Sequence, residues 1–193
     1  ARRSVAADSK VLIGIAAARL IPDNSSVILN IGTTTEQVAT ALRRHQGLMV
    51  ITNNINVANI LRDAPSAEVV IAGGLVRHSD GGIMGEATVD FIRQFKVDFA
   101  VIGASAIDRD GSILDYDFRE VKVSQAIIAQ ARKTILVSDS LSFERTAPVR
   151  IADLSMIDVF VTEVEPPREI VDYCRAHDVE LIIAGPMAAE QAA

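Results

Sequence analysis

The stretch ILNIGTTTEQVA, residues 28–39, decides how the rest of the chain reads. An apolar run stops at Asn30. Gly32, three consecutive threonines (Thr33, Thr34, Thr35) and Glu36 follow, and a helix-period pattern takes over. A strand, a glycine and a capped helix in that order form one arm of a strand–helix–strand unit. Thr33 and Glu36 match the S/T-x-x-E capping box, which predicts a helix starting there with the Thr33 hydroxyl as cap. The same residues also suit an anion. The free N–H groups and positive dipole end of the helix face the strand mouth, Gly32 lets the backbone come close, and three hydroxyls can donate. Cap and cradle both stand at this point.

Working outward, apolar runs alternate with helix-period segments. Strands are expected at 27–31, 48–52, 68–73, 97–102, 134–139, 157–162 and 180–185, and helices at 9–21, 35–46, 54–64, 87–95, 119–133 and 168–177. The short strands are continuously hydrophobic rather than alternating, so both faces of their sheet are covered by helices. The fold class is α/β, with a mostly parallel sheet flanked by helices. Two stretches break the rhythm. LVRHSDGGIMGEA (75–87) and DRDGSILDYDFRE (108–120) read as hairpins or irregular excursions, the second with Asp110-Gly111 as its turn.

In an open parallel sheet, ligands bind outside the carboxyl ends of the strands. Those ends carry Gly32–Thr35, Asn53-Asn54, Gly73-Gly74, Gly103 with Ser105 and Asp108, Asp139-Ser140, and Thr162-Glu163. Small hydroxyl, amide and glycine residues at successive ends suit a small, oxygen-rich, anionic ligand. Glu120 and Lys122 open a helix beside them and are candidates as well. No G-x-x-x-x-G-K-[ST] or G-x-G-x-x-G occurs, which points away from nucleotides and toward a phosphorylated metabolite. His78-Ser79-Asp80 are neighbours in a loop, a poor arrangement for a catalytic relay.

Composition narrows the class. The 193 residues carry a net charge of −6, with 49% hydrophobic and 23% charged residues and a mean hydropathy of +0.27. The longest basic runs are pairs, so this chain should not bind DNA by itself. The apolar excess fits buried subunit surface or a parallel-sheet core. A single cysteine, Cys174, excludes an internal disulfide framework and suits a reducing cytoplasm. Three scattered histidines offer no metal spacing, and no cofactor is expected. No apolar run reaches the roughly 18 residues of a membrane span.

The stretches IGTTTEQVA, VITNNINVANIL, IAGGLVRHSDGGIMGEATVDFI, FAVIGASAIDRDGSILDYDFREVKVSQAII and LVSDSLSFERTA together resemble the C-terminal sensor domain of DeoR-family bacterial transcriptional regulators. TNNINVAN and RHSDGGIMGEATVDFIRQFKVDF are similar to the branch concerned with glycerol 3-phosphate. The resemblance implies a fold like ribose-5-phosphate isomerase and CoA transferase domains. It also implies a single sensing domain over 1–193, with 1–21 a helix or linker remnant and the winged helix-turn-helix absent. The implied effector is glycerol 3-phosphate or a sugar phosphate. The implied partners are other copies in a homo-oligomer and, through the missing N-terminal domain, operator DNA, all in the cytoplasm. By the family's motif, GTTT, TNN, AGG, GASAID and FREVK line the effector pocket.

The chain departs from the family pattern in three places. Asn30 stands where an aspartate is common, Val123-Ser124 follow the VK where an arginine is usual, and Ser142 replaces a pocket lysine. Arg145, Lys122 or Arg77 could supply the lost cation. Two other functions compete with sensing. A sugar-phosphate isomerase could draw carboxylates from Asp108 and Glu120 but lacks the basic complement. A purely structural oligomerisation module would leave the polar strand ends without a role.

Overall fold

The computed structural model of the protein describes residues 2–185. Helix α1 (Arg2–Ala18) leads into strand β1 (Ser26–Leu29), helix α2 (Thr33–Leu42), β2 (Leu48–Thr52), α3 (Ile55–Leu61) and β3 (Ala67–Ile71). A small hairpin, β4 (Leu75–Val76) and β5 (Ile83–Met84), interrupts before α4 (Glu86–Ile92) and β6 (Val97–Ile102). Then come β7 (Ala106–Ile107), β8 (Ser112–Asp115), α5 (Phe118–Ala129), β9 (Ala131–Val137) and β10 (Val149–Asp153). The last elements are β11 (Val159–Thr162), α6 (Arg168–Ala176) and β12 (Glu180–Ile183).

Seven strands form one parallel sheet in the order β12-β11-β9-β6-β1-β2-β3. Successive residues on each strand face opposite sides, and along most of each of the five inner strands both sides are buried, whereas the edge strands β3 and β12 stay partly exposed. Val27, Leu29, Val50, Val101, Ile135, Val137, Val159 and Val161 join Ile13, Ala17, Val38, Leu42, Val57 and Leu61 of α1, α2 and α3. Ile28, Ile51, Ala100, Ile102, Leu136 and Phe160 join Ile92, Val121, Val123, Ile127, Ile170 and Cys174 of α4, α5 and α6. This two-sided burial is the physical reason the strands read as unbroken apolar runs. Truncating a fully buried centre such as Phe160 to alanine costs about 3–5 kcal/mol.

The strand order reverses at β1. From β1 the chain runs outward to β2 and β3, then returns to place β6 on the other side of β1. The crevice beyond the carboxyl ends of β1 and β6 is therefore the topological switch point, where open α/β sheets bind ligands. Neighbouring register brings the following loops level. Leu29 pairs with Val101, and Ile102 with Leu136.

Several boundaries differ from expectation. The first helix spans 2–18 rather than 9–21, and the chain leaves it ahead of Pro22, before which α geometry is disfavoured. The helix expected to reach 133 stops at Ala129, because Ala131, Lys133 and Thr134 pair with β6 from Val97 onward. Both excursions are antiparallel hairpins, β4–β5 and β7–β8, with Gly111 (φ 91°) in the turn of the second. β10, which the sequence left unassigned, pairs antiparallel with β8.

Candidate functional site

A cavity of about 190 Å³ opens at the switch point. Its floor is the turn from β1 into α2. Gly32 sits there with φ 121° and ψ 147°, a conformation that L side chains rarely adopt. Gly32 itself is the N-cap, and no side chain caps the helix. This corrects the expected capping box. The Thr33 hydroxyl instead accepts a 2.8 Å hydrogen bond from Lys10 Nζ. Glu36 turns away to accept from Asn54 Nδ2 at 3.1 Å.

With no side-chain cap, the amide groups opening α2 stay available at the positive end of its dipole. Thr35 is fully buried on the cavity wall, and its Oγ1 has no hydrogen-bond partner among the described residues. A buried hydroxyl without a partner costs about 1–3 kcal/mol, so its retention calls for a reason. Opposite, Gly103 brings the β6 end close: a methyl there would come 3.7 Å from Thr35 Oγ1. Ser138 Oγ donates to the Ala104 carbonyl at 3.3 Å, joining the β9 and β6 ends. The remaining polar wall includes Ser105, Asp139, Ser142 and the exposed Arg145.

The other side of the cavity is acidic around one cation. Arg77, on the β4–β5 hairpin, meets Asp80 (Nε to Oδ1, 3.0 Å), Asp117 (3.4 Å) and Glu120 (3.5 Å). The Asp80 hydrogen bond, opposed by burial, is the largest influence holding the Arg77 pKa above its ordinary value. Burial pushes the Asp80 carboxyl up, but Arg77 and the Gly82 amide outweigh it and leave the pKa lowered. Glu120, buried in the first turn of α5, is raised to about 8, by burial first and then by the Asp115 carboxylate. Asp115 Oδ1 accepts from Ser105 Oγ at 3.0 Å, tying β8 to the β6 end. One end of the cavity thus offers donors and cations to an anion. The other offers carboxylate oxygens to hydroxyl groups.

Of the sequence candidates, the structure brings Gly32, Thr33, Thr34, Thr35, Gly103, Ser105, Glu120 and Asp139 to this cavity. Asn53, Asn54, Gly73, Gly74, Asp108 and Lys122 are not among its lining residues. The two asparagines build the socket of the hairpin. Asn53 exchanges bonds with Ile83, through Nδ2 to O at 3.1 Å and Ile83 N to Asn53 O at 2.7 Å. Asn54 caps α3 by accepting from Asn56 N. Gly73 O accepts from Thr88 Oγ1, and Gly74 has no room for a methyl against that hydroxyl. Asp108 sits in the β7–β8 turn, and Lys122 lies on the exposed side of α5.

Lys10, Asp80, Asp115 and Ser138 were missed as lining residues. Nothing local in the sequence marks Lys10, whose place depends on how α1 seats on α2. The three departures from the family pattern are all placed. Asn30 Nδ2 donates to Ser124 Oγ at 2.8 Å, so two of them meet, while Ser142 lines the cavity and donates to the Asp139 carbonyl. Arg77 and Arg145 line the cavity, as two of the cations named in place of the lysine. No group of three or more His, Cys, Asp or Glu among the described residues could hold a metal ion. No helix among them is long and apolar enough to cross a membrane.

The family model for the DeoR C terminal sensor domain matches residues 5–164. The chain belongs to that family. A glycerol-3-phosphate regulon repressor of Haemophilus influenzae is 48% identical over 166 residues, which are 86% of this chain and 64% of that protein. The repressor of the same name in Escherichia coli K12 is 42% identical over 93% of this chain and 71% of its own length. The E. coli transcriptional repressor CsqR is 34% identical over 91% of this chain and 67% of its length. This sensor-domain chain therefore spans only 64% to 71% of these three relatives, which are repressors rather than enzymes. Among solved structures, translation initiation factor eIF-2B of Pyrococcus horikoshii aligns with a TM-score of 0.57 at 20% identity, covering 87% of this chain and 68% of that one. Ribose 5-phosphate isomerase A of Neisseria gonorrhoeae aligns at 0.52 and 10% identity, covering 71% and 53%. Such likeness shows the fold alone, and it is the isomerase-like fold that the resemblance implied.

Proposed function

We propose that this DeoR-family sensor domain binds a small phosphorylated metabolite, glycerol 3-phosphate first among them, at the β1–β6 switch point. The phosphate sits on the amide groups that open α2 and is met by the Thr35 hydroxyl and nearby cations. The ligand's hydroxyls face Ser105, Asp115 and Glu120. The observation that carries this reading is Thr35 Oγ1, buried, unpartnered and on the cavity wall at the start of an uncapped helix. A volume near 190 Å³ suits a three- to six-carbon metabolite better than the drug-sized ligands of pockets of about 300–1,000 Å³. The names of the two glycerol-3-phosphate regulon repressors support the choice of effector.

In the whole protein, occupancy would control operator binding through a DNA-binding segment outside this chain, acting on a homo-oligomer. The switch would come from a difference in effector affinity between two arrangements of that assembly. A thermal-shift panel of glycerol 3-phosphate, glycerol, inorganic phosphate and sugar phosphates tests the reading. Ligand at about a hundred times its Kd stabilises the fold by about 2.7 kcal/mol, a visible rise in Tm. Stabilisation by glycerol 3-phosphate and not by glycerol is expected. Silence toward every phosphorylated compound overturns the proposal.

A further inference from the structure

The cation missing at Ser142 has a replacement from outside the motif. Lys10 lies on α1, and its Nζ sits 2.8 Å from Thr33 Oγ1 and 3.9 Å from Asp139 Oδ2, on the cavity wall. Packing, not local sequence, puts it there. Gly14 lies one turn further along the same helix face, and a methyl added to it would come 2.7 Å from the Gln37 backbone. The helices thus touch backbone to backbone. Lys10 meets Thr33 and Gly14 meets Gln37, four residues on in both helices, so α1 and α2 run in the same direction at the contact. That registration delivers an ammonium group to the start of α2, on the cavity that the unpartnered Thr35 hydroxyl also lines.

We infer that Lys10 is an effector-binding residue that grips the phosphate and, because it belongs to α1, makes ligand occupancy set how α1 seats on α2. This rests on the phosphate site proposed above and adds to it the cation and the element that responds. Thr33 and Asp139 give Lys10, itself partly solvated, only one neutral acceptor and one long ionic contact. A phosphate dianion is a stronger partner, through charge-assisted bonds. Lys10 shifts to it and draws the first turns of α1 toward the cavity. In a C-terminal sensor domain, α1 is the element next in sequence to whatever precedes it, so the pull is placed to be felt there.

The test is calorimetric titration of the native chain and of Lys10→Met with glycerol 3-phosphate and with inorganic phosphate, together with hydrogen exchange along α1. The native chain is expected to bind glycerol 3-phosphate, and Lys10→Met to bind both compounds about 10- to 100-fold more weakly. Amides of α1 should gain protection with ligand in the native chain and gain none in Lys10→Met. Equal affinity in the two proteins, with the native chain binding, overturns the role of Lys10 and leaves the phosphate site standing. A native chain that binds neither compound overturns the site itself. Should Lys10→Met fail to fold, Asp139→Asn tests the idea with opposite sign. Freed from that carboxylate, Lys10 should bind phosphate about two- to fivefold more tightly. Unchanged or weaker binding by Asp139→Asn overturns the inference.

Discussion

Arg77 Nη2 lies 3.5 Å from Glu120 Oε2, and this contact joins the β4–β5 hairpin to the first turn of α5 along the acidic side of the cavity. Arg77 also serves Asp80 and Asp117, so one guanidinium balances several carboxylates. Glu120 is the buried member, and Asp80 holds the guanidinium most closely.

That arrangement fixes a pH dependence. The Glu120 pKa is raised to about 8 in the fold against an ordinary 4.5, so between these the folded chain holds a proton that the unfolded chain has lost. Its contribution to stability is full below about pH 4.5 and disappears as pH rises through about 8. Asp80 and Asp117 act in the opposite sense. Their lowered values favour the fold above the ordinary carboxylate range, and that gain is lost in more acid solution. Urea unfolding from pH 5 to 9 should show stability falling across the range, with a shallower fall in Glu120→Gln. An equal slope in both proteins contradicts the assignment.

Removing the shared cation has a different signature. Arg77→Met leaves Asp80, Asp117 and Glu120 facing one another in a largely desolvated wall, and breaking such a set costs about 3–5 kcal/mol when buried, less here because Arg77 keeps some solvent contact. The Tm at pH 7 should fall by several degrees and recover part of the loss near pH 5. A variant as stable as the native chain at pH 7 counts against the network.

Thr35→Val separates ligand binding from folding. The hydroxyl finds no partner among the described residues, so its loss should leave the unfolding free energy unchanged or raise it by up to about 1 kcal/mol. The thermal shift with glycerol 3-phosphate should shrink at the same time. Clear destabilisation without ligand would mean that the hydroxyl is satisfied inside the fold.

Gly32→Ala tests the turn by itself. A methyl at Gly32 would meet nothing beyond its chain neighbours nearer than Thr35 Oγ1 at 3.9 Å, so the penalty is backbone strain rather than a clash. The φ of 121° should cost about 1–3 kcal/mol, read from urea unfolding. No loss of stability would show that the turn relaxes.

The sheet was legible in the sequence because burial on two faces leaves unbroken apolar runs such as VILNI and FAVIG. The strand ends were legible because small polar residues follow those runs. Where partners far along the chain decide, the sequence was silent. Ala131 to Lys133 look helical and become strand because β6 is there to pair with them. Thr33 and Glu36 look like a capping box, but Lys10 engages one and Asn54 the other. The Asn53-Asn54 pair has the chemistry of a ligand contact and supports the hairpin that carries Arg77. Arg77 could be named because it stands in a stretch that reads as a hairpin, whereas Lys10 belongs to a helix whose seat on α2 no local pattern announces.

The most direct measurement is a crystal structure of the chain grown with glycerol 3-phosphate. The account predicts the phosphate at the start of α2, within hydrogen-bonding distance of the amides there and of Thr35 Oγ1, with the glycerol carbons directed toward Glu120. A phosphate bound anywhere else on the chain, with the threonine turn unchanged, would contradict it.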